Sequence, residues 1–126
     1  MTTHPLLQVA AGGALGASAR YLTNIGLARL LGTGFPWGTL AVNVLGAFAM
    51  GFLVTFLAHK DLNRLAPLLM TGILGGFTTF SAFSLDTITL YERGQPALAA
   101  AYVAGSVLLS LGAITLALHL FRGVFA

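Results

Sequence analysis

Four apolar segments occupy this chain almost end to end, at about 6–31, 37–58, 65–91 and 97–121. Each is near the roughly 20 residues that a helix needs to cross a bilayer. Lipid offers no partner to a backbone N–H or C=O, so segments of this length must close their own hydrogen bonds as helices. Pro36, Pro67 and Pro96 fall at or near the starts of the last three segments, where a missing N–H costs least. The connections 32–36, 59–64 and 92–96 are short, and the loops hold most of the charges. Of the residues, 57% are hydrophobic and only 7% charged, against about a quarter charged in soluble domains. The expectation is one all-α transmembrane domain over 1–126, with four spans and no soluble module. Ala17-Ser18-Ala19 imitates a signal-cleavage site, but no Lys or Arg precedes Arg20, so the first segment is expected to be retained.

Several functions are excluded by what is missing. The net charge of +3 comes from scattered basic residues, without the clustered patch that nucleic-acid binding requires. Zero cysteines remove disulfides, thiolate metal sites and cysteine nucleophiles. His4, His59 and His119 sit near segment ends without ligand spacing. With no clustered His, Asp or Glu there is nothing from which to build an enzyme's nucleophile–base pair or metal centre.

The chemistry concentrates in Gly75-Gly76-Phe77-Thr78-Thr79-Phe80-Ser81-Ala82-Phe83-Ser84, inside the third span. Polar groups at membrane depth persist where they are buried in protein or line a cavity. Phe80 and Phe83 share a face if the helix is regular, and their ring edges carry partial positive charge able to cradle an anion. Thr78, Thr79, Ser81 and Ser84 surround them with hydroxyls. Phe48, Phe52 and Phe56, at intervals of four, are expected to be packing. The glycine pair points to a break in the third helix, whose freed carbonyls would bind a cation such as Na⁺. A glycine kink satisfied by neighbouring helices is the competing expectation.

Polar residues on the other spans admit two readings each. Arg20, in the first, is either an anion attractor at a pore mouth or a snorkelling or capping arginine. Asn43, one turn beyond Thr39, either offers its amide to a passing anion or bonds between helices. Tyr102, Ser106 and Ser110 recur every four residues along one face of the fourth span. They form either a hydroxyl track about 12 Å long at 1.5 Å per residue or serines bonded back to their own helix. Gly12-x-x-x-Gly16 and Gly72-x-x-x-Gly76 mark close helix approach, within one subunit or between two.

Charge placement is nearly symmetric. Lys60, Arg64 and Arg122 fall on one side of four spans; Arg29 and Arg93, with Arg20 if it counts, fall on the other. An excess of Lys and Arg normally fixes orientation. Its near absence predicts insertion both ways round and an antiparallel dual-topology homodimer in the lipid bilayer; the competing expectation is that a weak bias still decides orientation.

Taken together, these residues resemble the CrcB/Fluc fluoride channel family over essentially the whole chain. The likeness rests on Arg20-Tyr21 closing the first-helix pattern, on Gly38-Thr39-Leu40 with Asn43 and Gly46, and above all on Gly75 to Phe83. Ala82 departs from it, since relatives often carry a hydroxyl there. The resemblance implies passive, fluoride-selective export through pores at the interface of an antiparallel dimer in the inner membrane, conferring fluoride resistance. It implies Phe80 and Phe83 as pore rings, Asn43 beside them, Tyr102, Ser106 and Ser110 as the polar track, and Arg20 in the vestibule. It also implies a structural Na⁺ held by the carbonyls of Gly75 and Thr78 from both subunits. Fluoride is small and strongly hydrated, so its shell must be replaced by closely spaced donors that still let it leave. A small multidrug-type proton-coupled exporter shares the length, but needs a carboxylate near the middle of a span. Asp86, towards the end of the third, is the nearest.

Overall fold

The computed structural model describes residues 4–125. Among them every regular element is helical. Helix α1 (Pro5–Leu31) is followed by α2 (Trp37–His59), then by a 3-10 turn (Asn63–Leu65). A π-helical stretch (Pro67–Leu74) continues into the single turn α3 (Gly75–Phe77). Two extended residues precede α4 (Phe80–Glu92), and α5 (Pro96–Phe125) completes the chain. Three stretches are long and apolar enough to cross a membrane: Trp37–His59, Asn63–Glu92 and Pro96–Phe125. Helix α1 has the length, with 27 residues, but carries Gln8, Arg20, Asn24 and Arg29. Helices α1, α2 and α5 begin and end within a few residues of the corresponding apolar segments, whereas the third segment is divided among four shorter elements.

Local sequence explains the turns. After Glu92 the chain closes with Gln95 N–H donating to Leu90 O at 3.1 Å and Gly94 N–H to Tyr91 O at 3.0 Å. This paired closure requires a left-handed residue after the cap, and Gly94 supplies it with φ 77°. Pro96 then opens α5 without needing a donor.

Packing follows two pairs. Helix α2 runs along α5, and α1 runs along the 67–77 stretch. In the second pair the two small-residue motifs meet each other inside the one chain. A Cβ on Gly12 would lie 2.9 Å from the Gly72 Cα and from the Ile73 N, and one on Gly76 would lie 2.7 Å from the Gly13 carbonyl. On the α2–α5 side, Gly51 abuts Ala117. Phe52 stacks on Phe56 at 5.3 Å and meets Phe121 edge-on at 4.9 Å, while Phe48 meets Phe121 at 5.9 Å. That phenylalanine series is packing, as expected. Leucines along the outer faces, such as Leu22, Leu30, Leu85 and Leu108, are exposed, as lipid-facing side chains are.

Replacing Gly12 with Ala should lower stability by about 1–3 kcal/mol, because backbone rather than a movable side chain blocks the added methyl. Gly112 has nothing within 4 Å of an added Cβ, so Gly112→Ala should be neutral or slightly stabilising. Thermal melting of both variants in detergent checks the contrast, and equal melting points would refute the contact.

Candidate functional site

The site is organised by Thr78 and Thr79, which are extended (φ −90°, ψ 158° and φ −154°, ψ 123°) between helical residues. Gly75 is helical, at φ −62° and ψ −37°. The glycines therefore do not open the helix, contrary to the expectation drawn from them; their lack of side chain serves the contact with α1 instead. Gly46 on α2 leaves the space that the Thr78 methyl occupies. Thr78 stays tied to the preceding turn, its N–H and hydroxyl both donating to Leu74 O at 3.0 and 2.9 Å. Thr79 starts α4, its Oγ1 accepting the Ala82 N–H at 3.2 Å, the N-cap role to which threonine is suited.

Side chains from two other helices close on this segment. The Asn43 amide donates from Nδ2 to Thr79 O at 3.0 Å and accepts the Thr79 N–H on Oδ1 at 2.8 Å. Asn43 thus acts between helices. Arg20 Nε donates to Gly76 O at 3.0 Å. Arg20 is half-buried and eleven residues from Leu31, about 16 Å at 1.5 Å per residue. It is neither at the helix end nor snorkelling out.

Beside the extended pair lies a groove of about 440 Å³ between α2, α4 and α5. Asn43, Phe80, Phe83, Ser106 and Ser110 line it, together with both threonines. Phe80 and Phe83 have ring centroids 5.6 Å apart at 45°. Ser106 is buried, and its Oγ has no hydrogen-bond partner among the described residues. It does not bond back to its own helix. A buried unpaired hydroxyl is costly, so this one is the strongest chemical signal in the groove. Phe80 is 78% exposed, and the groove is open on that side.

The remaining expected residues lie elsewhere. Tyr102 is fully buried but does not line this groove. Its ring packs against Phe83 at 5.2 Å, and its hydroxyl turns away to donate to Asp86 Oδ2 at 3.1 Å. Thr39 and Asp86 line a separate cavity of about 310 Å³, with Asn24, Thr89 and Arg93. Ser81 and Ser84 are exposed. Ser81 Oγ lies 3.2 Å from Thr79 Oγ1, and Ser84 Oγ donates to Phe80 O at 3.0 Å. The Thr79 cap and the Arg20–Gly76 and Asp86–Tyr102 bonds are absent from the sequence reading. Only the first had a local signal, a threonine three residues before Ala82.

Among the described residues no group of three His, Cys, Asp or Glu side chains is placed to hold a metal. The Thr79 N–H that a continuous helix would direct to Gly75 O goes to Asn43 instead, and Gly75 is exposed.

Residues 7–118 match the family model described as CrcB-like protein, Camphor Resistance (CrcB). Among curated proteins the chain is 67% identical over 121 residues to a fluoride-specific ion channel FluC of Cereibacter sphaeroides, covering 96% of this chain and 97% of the relative. It is 60% identical over 123 residues to the protein of the same name from Paracoccus denitrificans, with 98% of each covered. The similarly named Roseobacter denitrificans protein is 56% identical over 122 residues, covering 95% of this chain and 97% of the relative.

Asn43→Leu should leave the Thr79 N–H and C=O unpaired at a cost of about 1–3 kcal/mol for each buried group. The expected result is a lower melting temperature and faster hydrogen exchange at the Thr79 amide than in the native chain. Unchanged exchange there would show that the amide clip holds nothing.

Proposed function

The chain belongs to the CrcB-like family, and we propose that it is a fluoride-selective ion channel that lets fluoride leave the cell passively. It is a membrane protein and not an enzyme. The observation that carries this reading is the Ser106 hydroxyl, without a hydrogen-bond partner among the described residues, in a groove that the Phe80 and Phe83 rings also line. A lone O–H donor beside aromatic edges offers an anion positive partial charge without a full countercharge. That is what a fluoride pathway needs, since a site must replace hydration and still release the ion.

In this reading α1 is the fourth span beside the three more apolar stretches, and residues 1–126 form one transmembrane domain. The groove is open beside Phe80, so one chain cannot surround an ion on its own. An antiparallel second copy, inserted the other way round in the cell inner membrane, closes it. The near symmetry of basic residues between the two sides supports that arrangement. Ser110 continues the path from Ser106, whereas Tyr102 shapes it through Phe83. Thr39 belongs to the second cavity, and Ser81 and Ser84 face outward near the interface. The carbonyls of Gly75 and Thr78 from both copies would hold a Na⁺, which would neutralise their converging dipoles and fix the two copies in register.

In liposomes containing the purified protein, Ser106→Ala should slow fluoride efflux roughly tenfold, as expected for one hydrogen bond to a charged group. Its melting temperature should hold or rise, because a buried donor without a partner is removed. Phe83→Leu should slow efflux up to about tenfold through loss of the ring edge. Unchanged efflux in both variants would remove the groove from the pathway. Loss of efflux in Asp86→Asn, together with a dependence on a proton gradient, would instead favour a proton-coupled exporter.

A further inference from the structure

We infer that Arg20 is a positioning residue: its guanidinium holds the Gly76 carbonyl that the extended Thr78–Thr79 pair deprives of its helical donor, and it does so through bond geometry and not by attracting the anion. The inference rests on the channel reading above. In a continuous helix the N–H four residues on would serve each carbonyl. Here Thr78 N–H still reaches Leu74 O, but Thr79 N–H is diverted to Asn43. Phe80 begins a new helix behind an extended residue. Gly76 O is thus at the end of the first helical piece, at membrane depth, where an unmet carbonyl costs several kcal/mol.

Arg20 meets that need from α1 across 56 positions of sequence, with Nε 3.0 Å from Gly76 O. The approach depends on the small-residue contact beneath it, since Gly16 and Gly76 let α1 and α3 come within backbone distance. Gly76 O lies at the C-terminal end of this helical piece, where positive charge is favoured. Asn43 grips Thr79 from α2 on the far side of Thr78. The two side chains bracket the extended pair, and Phe80 takes its position in the groove from that bracket.

Lysine keeps the charge but replaces a planar fork with a compact, strongly hydrated ammonium on a flexible stem. Charge and geometry are therefore separable. Fluoride efflux from liposomes is measured against fluoride concentration at low and high salt for Arg20→Lys and Arg20→Gln. Both variants should lose roughly tenfold or more in maximal rate, the scale of one charged hydrogen bond. Half-saturating fluoride should move less than about threefold, and the salt dependence should stay as in the native chain, since long-range attraction would be screened.

A second variant leaves Arg20 intact. Replacing Phe77 with its α-hydroxy acid turns the 76–77 amide into an ester, whose carbonyl is a weaker acceptor at Gly76. It should slow efflux, and combining it with Arg20→Gln should cost less than the sum of the two, because both weaken the Arg20–Gly76 bond while the ester alone also removes the Phe77 N–H. Arg20→Lys conducting like the native chain would overturn the inference. So would a salt-sensitive rise in half-saturating fluoride with maximal rate preserved, or additive effects of the ester and Arg20→Gln. Loss of efflux in Ser106→Ala with none in these variants would sink the inference while leaving the channel reading standing.

Discussion

Two extended residues, Thr78 and Thr79, set a problem that the surrounding structure solves. A membrane interior supplies no water to backbone groups released from a helix. Groups freed at this point need a partner from another helix, and Gly75 O, whose helical donor goes to Asn43, is left over. Asn43 from α2 takes both backbone groups of Thr79, Arg20 from α1 takes Gly76 O, and the Thr79 hydroxyl caps the next helix. Because the partners come from different helices, the mutual packing of α1, α2 and the third stretch is fixed at one depth. Glycines at 12, 16, 46, 72 and 76 are what allow backbones to come close enough for these short side-chain bonds. Polar satisfaction and close packing are here one constraint and not two.

That constraint also decides what the groove can be. With Asn43 turned to Thr79 and Arg20 to Gly76, the polar groups of highest strength are occupied by backbone. What else lines the groove is weaker: the rings of Phe80 and Phe83 and the hydroxyl residues Thr78, Thr79, Ser106 and Ser110. A lining of this kind holds a dehydrated anion less tightly than a bare guanidinium would, which suits passage better than storage.

The sequence made the architecture legible because lipid reduces the choices. Length, hydropathy and proline position define α1, α2 and α5 to within a few residues, but not the division of the third stretch. The motif from Gly75 to Phe83 marks the chemical centre for the same reason, since polar residues at that depth demand explanation. What stayed hidden was pairing. Gly12-x-x-x-Gly16 announces a close approach but not its partner, and a tight contact inside one chain looks the same as one between two. The four-residue register of Tyr102, Ser106 and Ser110 puts them on one helix face. A tyrosine reaches further than a serine, however, so its hydroxyl leaves the face that its Cα shares. The extended backbone of the threonines depends on Gly46 and Asn43 elsewhere in the chain, so nothing local to the glycine pair marks it.

The placement of Asp86 follows from the same reach. A carboxylate on the third span would repel an anion if it faced the groove. Its Oδ2 instead accepts the Tyr102 hydroxyl, on a cavity that also contains Arg93. The Tyr102 ring packs on Phe83 at 5.2 Å and meets Phe35 edge-on at 5.4 Å. One buried side chain therefore both supplies a donor to the carboxylate and braces Phe83. A smaller residue at position 102 would leave the carboxylate without its donor and Phe83 without its backing, so the burial of Tyr102 serves the groove although its hydroxyl never enters it.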